Sequence, residues 1–335
     1  MGKWVKLLFN NQGRAISSHI QIFYLLPLKF DICNISGMED NTGKKCAIVT
    51  GSSSGFGYET SLLLARNGFH TYATVHNIDR SQQLLDIIGK DNLPIQVLQL
   101  DVTNDNSVKD TIDRIVKQSK RMDVVVNNAG YGLIGAFEDI PLEEIKAHFE
   151  TNLFGAIRVM QALLPIMRKQ RSGTIVNISS MGGRIAFPLS SSYSGTKFAL
   201  EGITESLSYE VEQFGIKTIL IEPGIVKTNF ANNIKKIGKT LKPDSPYARL
   251  VEIREANRRS MVESGSINPD EVATVILNAI TSDSPDLRYV VGNAARRLLE
   301  SRKNMPESEF KMFMMKNFFG TSETPKLIRD TADEI

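Results

Sequence analysis

Between residues 46 and 291 short apolar runs alternate with segments of helical period, and this alternation constrains the fold more than any other feature of the sequence. The runs at 46–50, 71–75, 96–100, 123–126, 174–178, 217–221 and 288–291 have strand length, and the valines of 123–126 suit a strand buried on both faces. Helices are expected over 58–67, 81–89, 107–117, 142–169, 193–214 and 269–281. The last opens on Asn268-Pro269-Asp270-Glu271, an N-cap followed by a first-turn proline and first-turn acids. Seven strands alternating with helices imply one α/β domain, a doubly wound parallel sheet covered by helices on both faces.

The domain is expected over 44–292. Residues 1–43 lack sustained periodicity and read as a flexible extension; with Met38 just before the ordered pattern, an upstream start in the reading frame and a functional segment are both open accounts of them. Residues 229–267 break the rhythm after the sixth strand, where insertions in an open α/β sheet overlie the ligand crevice, and are expected to form a helical substrate lid. Residues 293–335 form a C-terminal helical tail. Within it Met312, Met315, Phe318 and Phe319 share one helical face, suited to packing on the domain, a pocket wall, a subunit contact or a membrane surface.

Composition removes several classes of function. The 335 residues carry 40 basic and 37 acidic side chains, a net charge of +3, with no long basic run, which argues against nucleic-acid binding. Cys33 and Cys46 make no disulfide framework, and His19, His70, His76 and His148 are scattered, so no metal site is expected. The apolar run at 22–28 is too short to span a bilayer and no small-residue cleavage site follows it, which points to a cytoplasmic protein without a transmembrane segment.

Gly51-Ser52-Ser53-Ser54-Gly55-Phe56-Gly57 lies between the first strand and the first helix, where backbone amides at a helix N-terminus can cradle a pyrophosphate and glycine permits close approach. Asp101 and Val102 follow the third strand, and Asn128, Ala129 and Gly130 follow the fourth. Both groups lie at strand carboxyl ends, the rim at which such a sheet binds ligands; the first is placed for adenine contact and the second for ribose contact.

Ser180 stands near the end of the fifth strand, Tyr193 opens the next helix, and Lys197 is one helical turn on. Tyrosine and lysine at i and i+4 share a face, so the ammonium can favour the phenolate. A free phenol titrates near ~10, and lowering that to about 7 takes roughly 4 kcal/mol, from the lysine and an oxidised nicotinamide. Tyr193 can then serve as general acid for a carbonyl or general base for an alcohol, with Ser180 hydrogen-bonded to the same substrate oxygen.

Gly51–Gly57, Asn127 to Gly130, Ser180, Tyr193-x-x-x-Lys197 and Pro223-Gly224 together resemble the short-chain dehydrogenase/reductase family over about residues 44–292, most closely its steroid and retinol dehydrogenase branch. The resemblance implies a Rossmann-type domain that moves hydride between a nicotinamide and a carbonyl or alcohol carbon. It implies further that Lys197 binds the nicotinamide ribose, that Asn152 completes a proton relay, that Pro223, Gly224, Val226 and Thr228 meet the nicotinamide, and that the chain assembles as a homodimer or homotetramer. Phe56 departs from the family, in which isoleucine or leucine is commoner.

At the end of the second strand stand His76 and Asn77, with Arg80 nearby and no acid before Asp79. An acid there would bind the 2′-hydroxyl of NAD and repel the 2′-phosphate of NADP, so NADP(H) is the expected cofactor, with Ser53 and Ser54 as further donors to the phosphate. Leu133, Phe187 and Phe230 fall in loops around the crevice and favour a hydrophobic small-molecule substrate. The expected function is an NADP-dependent oxidoreductase of a hydrophobic ketone, aldehyde or secondary alcohol; the alternatives are a non-catalytic NADP-binding sensor or scaffold and an enzyme of a membrane surface.

Overall fold

The computed structural model describes residues 43–226 and 234–319, apart from the side chains of 261, 263–265 and 319. Among them the strands are β1 (Cys46–Thr50), β2 (His70–Val75), β3 (Ile95–Gln99), β4 (Val124–Asn127), β5 (Gly132–Ile134), β6 (Gly173–Ile178), β7 (Ile216–Pro223), β8 (Ile234–Lys236) and β9 (Arg288–Val291). The helices are α1 (Gly55–Arg66), α2 (Gln82–Asp91), α3 (Asp105–Ser119), α4 (Leu142–Phe149), α5 (Gly155–Gln170), α6 (Ser191–Val211), α7 (Ala248–Gly265), α8 (Pro269–Thr281), α9 (Asn293–Asn304) and α10 (Glu307–Phe319).

Seven strands form one parallel sheet in the order β3-β2-β1-β4-β6-β7-β9. Alternate residues of its central strands feed two separate cores. Ile48, Val125 and Ile175 pack with Tyr72, Leu163 and Met167 on one face. Val49, Val124, Val126 and Val176 pack with Leu64, Val272 and Ile276 on the other. Every residue of β1 and β4 is buried, as the apolar runs require when helices cover both faces. α8 begins where its start signals place it, with the Asn268 amide donating to Glu271 Oε1 at 2.8 Å.

The helix expected over 142–169 is divided. Between α4 and α5 the residues Glu150–Phe154 make a wide π-helical turn. The extra residue turns the Asn152 side chain inward, where it is buried. Gly155 then packs so closely that an added Cβ would stand 2.7 Å from Val102 Cγ2.

The described part of the stretch 229–267, expected to be helical, contains α7 and also a short strand, β8. β8 pairs in parallel with β5, which falls where a loop is expected, and strands of three residues are too short to show a period. In α7 the stripe Leu250, Arg254, Arg258 and Val262 runs at i, i+4, i+8 and i+12. Arginines at its two central positions conceal the inward face from a hydrophobic-period reading.

The tail supplies α9 and α10. Phe310 and Phe318 of α10 are buried, Phe318 O accepts from Asn257 Nδ2 at 2.6 Å, and the Phe318 and Phe187 rings lie 5.6 Å apart. Of the outcomes open for this segment, Phe318 takes that of a pocket wall. No helix among the described residues is long and apolar enough to cross a membrane.

Candidate active site

β1 and β4 are neighbours in the sheet although three helices and two strands separate them in the chain, so the connections from their carboxyl ends leave in opposite directions and open a crevice. A cleft of about 620 Å³ occupies it, walled by the residues that follow the strands: Gly51 and Ser53 to Phe56 after β1, His76 after β2, Leu100 to Thr103 after β3, Asn128 to Tyr131 after β4, and Ser179 with Ser180 after β6.

Thr50 and Asn128 hold this crevice together. The Thr50 hydroxyl accepts from the backbone amides of Asn128 and Ala129, each at 3.0 Å, and Asn128 Nδ2 donates to the carbonyls of Thr50 at 2.8 Å and Gly51 at 3.0 Å. Backbone meets backbone closely enough that an added Cβ on Gly51 would stand 2.9 Å from Ala129 Cα, and one on Gly57 2.5 Å from Asn128 Nδ2. Gly51 also has φ +72°, which favours glycine. No side chain caps the first amides of α1, and its first turn has no acid. This uncapped, positively polarised end fits the pyrophosphate of a dinucleotide.

At the far end of the cleft His76 Nε2 lies 3.8 Å from Asp101 Oδ2. Burial pushes the Asp101 carboxyl up, but the hydroxyl and amide of Thr103, aided by His76 and Arg158, hold it below the usual carboxylate range. Asn77 does not wall the cleft; its side-chain oxygen accepts from the Asp79 amide at 2.8 Å, an Asx turn that shapes the β2 exit.

At the other end Ser180, Tyr193 and Lys197 converge. Ser180 and Tyr193 border the same space, where the Ser180 side chain favours the ionised phenol, and the Ser180 hydroxyl oxygen accepts from the Gly182 amide at 3.0 Å. Lys197 Nζ donates to Ile178 O at 2.7 Å and stands 5.9 Å from the Tyr193 ring centroid. Burial lowers Lys197 from 10.5 to about 8, with Glu201 opposing. Burial raises the Tyr193 phenol above its ordinary value, only partly offset by Ser180. Burial therefore opposes the lowering that is expected from the lysine and an oxidised nicotinamide together.

Asn152 lies beside this group in a network the sequence did not reveal. Its Oδ1 accepts from the Tyr131 amide at 3.0 Å and its Nδ2 donates to Tyr131 O at 2.9 Å. His148, one turn earlier and wholly buried, has Nε2 3.0 Å from Asn152 Nδ2 and Nδ1 2.8 Å from the Ser192 hydroxyl. Burial lowers His148 from 6.5 to about 4; the Tyr131 carbonyl opposes this and the Lys197 charge adds to it. The i, i+4 spacing of His148 and Asn152 was the only signal in the sequence.

A second cavity of about 220 Å³ opens on the opposite side of Ser180 and Tyr193. Leu133 and Phe187 wall it as expected, and Ile134, Ile225, Val262 and Phe318 join them. Arg254 and Arg258 also border it, and nothing in the hydrophobic pattern had singled them out.

Of the residues expected at the cofactor, Gly51, Ser53, Ser54, Gly55, Phe56, His76, Asp101, Val102, Asn128, Ala129, Gly130, Tyr193, Lys197, Pro223, Gly224 and Val226 wall the larger cleft. Gly57 lies just behind it against Asn128. Thr228 and Phe230 fall outside the described residues. Among the described residues no group of three or more His, Cys, Asp or Glu is placed to hold a metal.

A parallel sheet with a dinucleotide-sized cleft and a Ser-Tyr-Lys cluster defines a nucleotide-binding oxidoreductase fold. The profile of the short chain dehydrogenase family matches residues 45–238. The 3-ketodihydrosphingosine reductase of Bacteroides thetaiotaomicron is 34% identical over 276 residues, 81% of this chain and 97% of that one. Human retinol dehydrogenase 8 is 35% identical over 253 residues, 73% of this chain and 80% of that one. Among solved structures, a short-chain dehydrogenase from Streptomyces avermitilis is 30% identical, with TM-score 0.71 over 82% of this chain and 96% of that one. ElxO with NADP bound is 28% identical, with TM-score 0.61 over 74% and 96%. The chain belongs to the short-chain dehydrogenase/reductase family and is an oxidoreductase of that family.

Proposed function

We propose that the protein is an NADP(H)-dependent oxidoreductase acting on a hydrophobic ketone, aldehyde or secondary alcohol. The observation that carries the reading is that Ser180 and Tyr193 wall two cavities at once, one of dinucleotide size and one largely apolar. A nicotinamide dinucleotide bound in the larger cleft supplies or accepts the hydride. The chain's own residues do the rest. The turn at 51–57 holds the pyrophosphate, Pro223 to Val226 border the nicotinamide, and Lys197 reaches its ribose. Ser180 orients the substrate oxygen. Tyr193 passes the proton to that oxygen on reduction and takes it on oxidation. A phenol raised by burial suits the acid role; drawing it down for the base role requires positive charge beyond what Lys197 provides. Asn152, fixed against Tyr131, belongs to the proton path behind the lysine.

The NADP(H) preference rests on the β2 exit, where exposed His76 and Arg80 stand in place of an acid. ElxO, solved with NADP, supports the cofactor class. The test is NADPH and NADH consumption by wild type and Tyr193→Phe across hydrophobic ketones and aldehydes. Tyrosine-dependent turnover that prefers NADPH supports the reading; turnover retained by Tyr193→Phe rejects the role of the phenol.

A further inference from the structure

The smaller cavity is apolar except at Ser180, Tyr193, Ser190 and two arginines. Its described walls contain two cations, Arg254 and Arg258, and no carboxylate. Arg254 is largely buried, with a side chain 18% exposed. Its NH2 donates to Ser190 Oγ at 3.3 Å, while NH1 is buried with no hydrogen-bond partner among the described residues. The acid nearest NH1 is Glu255 at 3.8 Å, and Glu255 also faces Arg258 at 3.1 Å and Lys236 at 3.3 Å. Three cations thus share one carboxylate outside the cavity. A buried guanidinium donor without an acceptor is costly unless something else supplies one.

The geometry points to a substrate that carries, besides the reacting carbonyl or alcohol and an apolar body, an oxyanion, a carboxylate or phosphate, bound by Arg254 with Arg258. This inference rests on the reading of the cavity beside Ser180 and Tyr193 as the substrate's. The carbonyl or alcohol lies at Ser180 and Tyr193, the apolar body against Leu133, Phe187 and Phe318, and the anion at Arg254. Guanidinium is suited to the role because its planar fork matches two oxygens at once. The proposed reaction is unchanged; Arg254 decides which carbonyl compounds are taken.

Binding and turnover separate this inference from the oxidoreductase reading. Calorimetric titration of wild-type protein with decanoate, decyl phosphate and decan-1-ol reads the anion site without requiring chemistry. At least one of the two anions binds about tenfold or more tighter than the alcohol, Arg254→Met removes that preference, and the stronger arm tells carboxylate from phosphate. In parallel, NADPH consumption with ω-oxo acids of six to twelve carbons is compared with that for their methyl esters. The acid-to-ester ratio of kcat/KM exceeds ten in wild type and falls toward one in Arg254→Met. Arg254-dependent anion binding without turnover of any carbonyl supports the anion site and counts against the oxidoreductase reading. Anions bound no tighter than the alcohol, or a preference unchanged in Arg254→Met, overturns the inference whatever the turnover. Should Arg254→Met fail to fold, Arg254→Lys keeps the charge but loses the fork; a smaller preference supports the inference and an unchanged one overturns it.

Discussion

Lys197 Nζ sits 5.9 Å from the centroid of the Tyr193 ring while its hydrogen bond goes to the carbonyl of Ile178, the last residue of β6. The sheet thus pins the ammonium between strand and phenol. A cation over the ring face is attracted to it but withdraws little proton affinity from the hydroxyl, which burial holds high. On the proposed mechanism, the further charge needed for alcohol oxidation comes from the occupied cleft.

Removing the phenolic hydroxyl isolates proton transfer from binding. Tyr193→Phe lowers kcat by about 10²–10⁴-fold, the usual contribution of a positioned acid or base. NADPH affinity stays within about threefold, because the substitution leaves Lys197 and the rest of the cleft wall in place. Steady-state rates with a fluorescence titration of NADPH check both halves.

A buried ammonium costs stability at neutral pH. Lys197 titrates at about 8 when folded against 10.5 ordinarily, so between these values the unfolded chain holds a proton that the folded one has released. Stability therefore rises with pH across this window. The span corresponds to about 3 kcal/mol at most. Lys197→Met is more stable than wild type at pH 7 and loses that advantage as the pH climbs past 8, while its turnover collapses. Urea unfolding at several pH values measures the difference.

His148 gives the mirror case on the acid side. Its folded value of about 4 lies below the ordinary 6.5, so from 6.5 down to 4 only the unfolded chain gains the proton and stability falls as pH falls. The loss is full once pH reaches about 4, up to about 3 kcal/mol. In His148→Gln this component of the pH slope disappears, and the comparison of unfolding midpoints between pH 7 and pH 4 isolates it from the carboxylates common to both proteins.

Asn128 fastens the glycine turn through two carbonyls, Thr50 and Gly51. Asn128→Ala leaves both without this donor, costs about 1–3 kcal/mol in stability, and loosens the cradle. NADPH affinity falls about tenfold or more, whereas Asn128→Asp, which lacks the amide donor, does no better. Thermal melts and cofactor titration read the two effects separately.

The cofactor choice is tested by placing an acid at the β2 exit. His76→Asp sets a carboxylate where the 2′-phosphate is expected and beside Asp101, 3.8 Å from the present imidazole. The ratio of kcat/KM for NADPH over NADH drops about tenfold or more, equivalent to about 1.4 kcal/mol. An unchanged ratio removes His76 from the specificity argument.

The alternation of apolar runs was enough to give the seven-stranded parallel sheet, because a strand buried on both faces must be apolar throughout and its crossover helix must show a 3.6-residue period. β9 and α8 fall where their own residues place them. The glycine turn, Tyr193 and Lys197 were legible for a related reason: their spacing in the chain is their spacing in space, within one turn or one helix, and Ser180 by its place at the carboxyl end of a strand. Contacts between distant segments were not legible. His148 meets Tyr131 and Ser192 through the packing of α4 and α6, and Phe318 reaches Phe187 across 131 positions of sequence. The direction of the Tyr193 shift depends on desolvation, which no spacing encodes. The arginine stripe of α7 reads in the sequence as a polar helix face; only the fold turns it toward an apolar cavity and leaves one guanidinium nitrogen buried without an acceptor. Local periodicity is written residue by residue, whereas burial and electrostatics belong to whichever surfaces the folded chain brings together.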